Sequence, residues 1–295
     1  MIDMEKLDLS QIETLVELAV AEDLGDGDPT SAIVAGSGQM ATASLVARQP
    51  IVVCGMDVAE FVLKKYDDRL RLDVSIGDGQ SAEAGVMIGT VAGPLAAMLS
   101  AERVVLNFLQ RLCGISTMTR KYVDAVAGSG AKIYDTRKTT PGWRVLEKYA
   151  VRCGGGHNHR LGLGDGVMFK DNHVAALGDK LEAELGRMVE RAHKVEKVKF
   201  VCVEVDRVKE QLESVLKVAG VDIVLLDNMS AGQLAEAVRM RDAAGGKAPL
   251  LEASGGIRLD NIAGIAATGI ERISVGAITH SAAAVDIGLD EIVIG

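Results

Sequence analysis

The sequence predicts an α/β protein in two parts, a small antiparallel sheet packed on helices followed by an incomplete βα barrel. Three observations predict it. The 295-residue chain is 48% hydrophobic and 25% charged, which suits one or two packed domains and not a disordered chain. From about Gly114 onward, apolar strand-like runs alternate with helical ones, the pattern of parallel β-strands in an α/β domain. Nearly all of those strands end in polar or glycine-rich groups. An open sheet uses mainly the strands at its switch point for ligands, whereas a barrel aims every strand end at one mouth.

The elements follow in order. Gln11–Ala21 carries Ile12, Leu15, Val16 and Ala19 at helical spacing and stops at the turn-rich run Gly25-Asp26-Gly27-Asp28-Pro29. Strand-like segments come next at Ala43–Ala47, Ile51–Cys54, Leu70–Val74 and Val86–Val91, separated by turn chemistry such as Gly77-Asp78-Gly79. A helix is expected from Leu95 to Leu112, with Leu95, Leu99, Leu106 and Leu109 on one side. Arg103, Asn107 and Gln110 form a polar stripe on its flank, which by itself reads as a solvated edge.

The second part is expected to hold strands at Lys132–Asp135, Val167–Lys170, Phe200–Val205, Ile223–Leu226, Leu250–Ala253 and Ile273–Val275. Helical stretches include Gln233–Arg241 and Asn261–Ala267. The stretch from Gly114 to Thr279 is well short of the ~250 residues of a full eight-fold barrel. A truncated barrel leaves apolar edges that the first domain or a second subunit would have to cover.

Composition excludes several functions. With 32 basic against 41 acidic residues the net charge is −9, so phosphate backbones and anionic membranes are repelled. Four Phe, four Tyr and one Trp are too few for a base-stacking platform. No stretch approaches the ~20 apolar residues of a membrane span, and the acidic start MIDMEKLDLS is unlike a secretory signal. Cys54, Cys113, Cys153 and Cys202 form no C-x-x-C pair and suit a reducing compartment. A cytoplasmic protein is expected, with neither nucleic acid nor membrane as partner.

The strand ends carry the chemistry. Arg137, Lys138, Arg160 and Lys170 would place four cations at one mouth of an acidic protein, which calls for a multiply anionic small substrate. Arg offers a planar fork to carboxylates, and Lys a point charge to phosphates. In Cys153-Gly154-Gly155-Gly156-His157-Asn158-His159-Arg160, three consecutive glycines imply close approach to the backbone. The Cys/His spacing there matches no standard zinc site, and donation by His159 and Arg160 to a carboxylate fits the neighbouring cations better. Glu204 and Asp227 could form ion pairs, bind Mg²⁺, hold ribose hydroxyls or stabilise a developing positive charge. Ser254-Gly255-Gly256 and Val275-Gly276-Ala277 offer backbone N–H groups for phosphate, with His280 a further donor or a packing residue.

At this point the sequence resembles a known family. ERVVLNFLQRLCGIS, AKIYDTRKTTPG, KYAVRCGGGHNHRLGL, KDNH, VEVD, LLDNMS, LEASGGI and ISVGAITHSAAAVDIGL occur in the order found in nicotinate-nucleotide pyrophosphorylases (carboxylating), also called quinolinate phosphoribosyltransferases. The resemblance implies an N-terminal α/β sandwich with an open antiparallel sheet, residues 1–113 joined by the C-terminal 281–295. Residues 114–280 would form an incomplete seven-stranded α/β barrel. It implies a pentosyltransferase of NAD biosynthesis that converts quinolinate and phosphoribosyl pyrophosphate to nicotinate mononucleotide, pyrophosphate and CO₂, with Mg²⁺.

By the same resemblance, Arg137, His159, Arg160 and Lys170 bind quinolinate. Arg103 joins them from the neighbouring subunit of a homodimer or hexamer, against its reading as a solvated edge. Thr136, Lys138, Glu204 and Asp227 would surround phosphoribosyl pyrophosphate, with Mg²⁺ near Glu204 and Asp227. Lys138, Lys170, Glu204 and Asp227 would be the catalytic set. Ser254, Gly255, Gly256, Val275, Gly276, Ala277 and His280 would cradle the 5-phosphate. Phe169, Asp171 and Cys202 depart from the usual residues of the family.

Overall fold

A computed structural model of the chain describes residues 6–36, 38–245 and 248–295. They gather into two compact units. The first holds the residues up to Arg120, Thr139–Gly155 and Ile278–Gly295, and the second holds Lys121–Lys138 and Gly156–Ala277. A single cut at 113/114 assigns the 139–155 stretch to the second part, yet that stretch packs with the first.

In the first unit, helix Glu13–Leu24 leads to a short helix, Pro29–Val34, started by Pro29 and by the Asp28 carboxylate, which accepts from Ser31 N–H at 3.0 Å. Strands β1 (Met40–Ala47), β2 (Ile51–Val52), β3 (Arg71–Val74), β4 (Ser81–Ala82) and β5 (Met87–Pro94) follow. β1 alternates buried and less buried residues, as a strand with one face on a core should. Between β2 and β3 lies helix Met56–Tyr66, which the sequence reading left unassigned. Asp78 closes its N-terminus by accepting from Gly55 N–H and Met56 N–H at 2.9 and 3.1 Å.

The helix expected to end at Leu112 runs from Leu95 to Ala125. Gly114 does not break it. A Cβ there would collide with the Ala283 carbonyl oxygen, so the missing side chain serves close approach of another segment. Three residues earlier, Arg111 donates to the Thr279 and Ala282 carbonyls at 2.5 and 2.6 Å and to Glu147 at 2.7 Å. Glu147 lies on helix Arg144–Cys153, its side chain fully buried, and also accepts from Thr140 Oγ1 at 2.9 Å. One guanidinium thus ties two distant stretches to the long helix. Arg111→Ala leaves a buried carboxylate without its counter-charge and is expected to lower stability by about 3–5 kcal/mol. Urea denaturation checks this, and Arg111→Met with Glu147→Gln should recover part of the loss.

The second unit is a parallel sheet of β6 (Lys132–Tyr134), β7 (Val167–Phe169), β8 (Val201–Val205), β9 (Ile223–Asp227), β10 (Leu250–Ser254) and β11 (Arg272–Ser274). Its order is β6-β11-β10-β9-β8-β7. These are the strands expected from the apolar runs, and the α/β class holds. The implied seven strands correspond to six regular ones plus a stretch at His157 that makes one parallel bridge to Tyr134. Glycines at 154–156 give that stretch little to pack as a longer strand. The last strand of the chain, β12 (Ile287–Ile294), pairs antiparallel with β1 and completes a four-stranded sheet of order β12-β1-β5-β3 in the first unit.

Candidate active site

Because the six strands are parallel, their carboxyl ends face one way, and the side chains there line a cavity of about 430 Å³ within the second unit. Period-two alternation selects them. Leu225 and Asp227 on β9, and Glu252 and Ser254 on β10, share the inner face, with Met168, Glu204 and Ser274 from neighbouring strands. Cys202, Ile223 and Leu225 pack with Met168 and Phe200 beneath this polar layer.

Thr136, Arg137 and Lys138 come from the turn after β6, where Lys138 N–H donates to Thr136 Oγ1 at 3.0 Å. Asp135, fully buried, sets the next loop in place. Its two oxygens accept from His159 N–H at 2.8 Å and from Asn158 Nδ2 at 2.6 Å. Arg160 donates to the Gly166 carbonyl at 3.0 Å and reaches Met168 Sδ at 3.5 Å. Burial, and then the charge of Arg137, push the Arg160 guanidinium below its ordinary pKa, so two cations face each other here. Lys170 starts the helix after β7 and lines the same cavity.

Two carboxylates line the same cavity. Glu204 and Asp227, both half-buried, come from adjacent paired strands, and Asp227 accepts from Asn228 Nδ2 at 2.6 Å. Gly255 and Gly256 have φ of +87° and +61°, and a Cβ on Gly255 would strike Asn228, so the Ser254 loop needs glycine on both counts. Of the sequence-derived residues, Thr136, Arg137, Lys138, His159, Arg160 and Lys170 line the cavity together with Glu204, Asp227 and Ser254. Gly255, Gly256, Val275, Gly276 and Ala277 are not among its lining. His280 is exposed and contacts Ser281 Oγ at 2.7 Å, and Arg103 is exposed on the long helix.

The sequence reading placed Asp135 in a polar strand end without assigning it a role, and missed Glu252 and Ser274 as parts of the site. For Glu252 a signal existed, since it is a lone charge inside the apolar run Leu250-Leu251-Glu252-Ala253. Among the described residues, the one group of three or more at metal-ligand spacing is Cys54, Asp78 and Cys153 in the first unit. Asp78 is already engaged by two backbone N–H groups and Tyr149 Oη at 2.7 Å, and burial pushes the Cys54 thiol well up. That arrangement is structural. Among the described residues no helix is long and apolar enough to cross a membrane.

A parallel α/β unit whose strand ends join four cations to two carboxylates defines an enzyme site for small, multiply anionic substrates. The comparisons narrow the class. Residues 28–113 match the quinolinate phosphoribosyl transferase N-terminal domain and residues 115–290 its C-terminal domain. The nicotinate-nucleotide pyrophosphorylase [carboxylating] of Mycobacterium leprae is 44% identical over 281 residues, covering 93% of this chain and 95% of that protein. The crystal structure of NadC from Streptococcus pyogenes superposes with a TM-score of 0.91 at 34% identity, covering 99% of each chain. The nicotinate-nucleotide pyrophosphorylase from Francisella tularensis gives 0.86 at 35%, again over 99% of each. The chain belongs to the quinolinate phosphoribosyltransferase family. Its activity is decarboxylating phosphoribosyl transfer to quinolinate, in NAD biosynthesis.

Proposed function

We propose that the 430 Å³ cavity holds quinolinate beside phosphoribosyl pyrophosphate and yields nicotinate mononucleotide, pyrophosphate and CO₂. The observation that carries this is the convergence of Arg137, Lys138, His159, Arg160 and Lys170 with Glu204 and Asp227 in one cavity. Arg137, Arg160 and Lys170 orient the two ring carboxylates, His159 stands behind Arg160 with Nδ1 on the Arg160 N–H instead of donating to the substrate, and Lys138 faces the pyrophosphate. The pyridine nitrogen lone pair forms a bond to the ribose carbon as the carbon–oxygen bond breaks, its electron pair leaving with pyrophosphate. Glu204 and Asp227 stabilise the positive charge that builds on the ribosyl group. Alkylation leaves the ring nitrogen positive. The adjacent carboxylate then departs as CO₂, its bonding pair stays on the ring carbon as an ylide, and a proton replaces it. No protein nucleophile is needed.

Two carboxylates on neighbouring strand ends, among groups suited to phosphates, are the hard oxygen donors that Mg²⁺ prefers. Glu204 and Asp227 would hold it, and bound there it would neutralise charge on the departing pyrophosphate. Ser254–Gly256 and Val275–Ala277 take the 5-phosphate. Arg103 reaches the site of a partner subunit in a homodimer or larger assembly, and the enzyme works in the cytoplasm.

The test follows carboxyl-labelled quinolinate. Labelled CO₂ is expected in step with nicotinate mononucleotide, and only with phosphoribosyl pyrophosphate and Mg²⁺ present. CO₂ without the sugar pyrophosphate, or a borohydride-trapped adduct on Lys170, would point to a Schiff-base lyase instead.

A further inference from the structure

Glu252 lies in the middle of β10, its side chain fully buried, between Leu225 and Arg272 in the strand register. A carboxylate so placed is strongly disfavoured unless it is paired. Its Oε2 accepts from Arg272 Nε at 2.6 Å, and the Arg272 guanidinium lies 3.5 Å over the Tyr134 ring. Its Oε1 makes no hydrogen bond of normal geometry among the described residues, and His159 Nε2 faces it at 3.4 Å. His159 is itself fixed on other sides. Its Nδ1 accepts the Arg160 N–H at 2.8 Å, its backbone N–H donates to Asp135 Oδ1, and Phe200 meets the ring edge-on at 5.1 Å.

These contacts set the proton on the imidazole. A nitrogen that accepts a backbone N–H carries no hydrogen, so the neutral ring bears its proton on Nε2, the atom turned to Glu252. We infer that Glu252, clamped by Arg272, is a positioning residue that holds His159 in this tautomer and plane and thereby presents Arg160 to the substrate's carboxylates. The inference rests on the proposed quinolinate site and adds to it a residue that acts through another.

Glu252→Gln separates this role from packing. The amide keeps the shape of the carboxylate, and its oxygen must stay on Arg272 Nε. Its NH₂ then faces His159 Nε2, where two N–H groups would confront each other. Relief moves the imidazole proton to Nδ1, where it meets the Arg160 N–H instead. Either the Glu252–His159 contact or the hydrogen bond from Arg160 N–H to His159 is lost.

Two measurements test the inference. In the wild-type protein labelled with ¹⁵N-histidine, the His159 signal, assigned by its loss in His159→Gln, should show a protonated Nε2 and an unprotonated Nδ1. In Glu252→Gln the KM for quinolinate should rise about tenfold, the equivalent of one net hydrogen bond, while the KM for phosphoribosyl pyrophosphate stays within about twofold. A proton on Nδ1 in the wild type overturns the inference, as does an unchanged quinolinate KM or an equal rise in both constants. The tautomer measurement needs neither a stable variant nor turnover. A wild-type enzyme that released no CO₂ would refute the reaction, while a proton on Nδ1 in the same protein would separately refute the role of Glu252.

Discussion

Glu204→Gln is expected to lower kcat by about two to three orders of magnitude while the quinolinate KM stays within about threefold. The amide preserves volume and accepts a hydrogen bond through its oxygen, so little of the cavity's shape changes. What it lacks is charge. Glu204 sits half-buried at the carboxyl end of β8, across the strand pair from the Asp227 strand end, in the cavity that gathers the cations. An anion fixed there is most useful when positive charge develops on the ribosyl carbon, a charge that exists only on the way to the transition state. On the proposed assignment, ground-state binding of the pyridine diacid falls to the cations. The defect should therefore fall on the chemical step, and single-turnover rates with both substrates saturating would show it. A variant that merely raised KM with full kcat would remove Glu204 from this role and leave it as an ordinary partner of the neighbouring cations.

Much of this was legible in the sequence, for identifiable reasons. The parallel strands announce themselves because strands buried on both faces are apolar throughout, and a polar residue at their ends has no structural excuse. That logic reached Lys170, Glu204, Asp227 and Ser254. It failed for Glu252, where a buried charge in mid-strand is explained only by Arg272 and His159, distant in sequence and adjacent only in space. The long helix, expected to stop at Leu112, continues through Gly114, where a Cβ would strike the Ala283 carbonyl oxygen, a contact between segments distant in sequence. Helix Arg144–Cys153 stayed invisible as a member of the first unit because its assignment depends on Glu147 meeting Arg111 and Tyr149 meeting Asp78. Pairings of this kind leave no periodic trace. The polar stripe of Arg103, Asn107 and Gln110 was ambiguous in yet another way, since a solvated edge and a face that serves another subunit have the same composition.

Arg103 makes that ambiguity testable. Its side chain is 58% exposed and its ion pair with Glu102 is long, at 3.9 Å. A pair of this kind contributes about 0–1 kcal/mol, so Arg103→Ala should change stability by no more than about 0.5 kcal/mol. If Arg103 completes the site of a partner subunit, the same substitution should nevertheless cut turnover about a hundredfold, because a guanidinium that grips a substrate carboxylate is lost. Arg137→Ala, in the cavity itself, should cut it at least as deeply. The two defects then lie in different subunits of any one site. When the variants are mixed and subunits allowed to exchange, half of the randomly re-paired dimers are hybrids. Each hybrid has one site that carries both lesions and one that carries neither, so about a quarter of wild-type activity should return. Two variants damaged within the same chain's site could not complement. Native mass spectrometry of differently tagged chains would verify the exchange, and silent hybrids would show that Arg103 acts, if at all, within its own subunit.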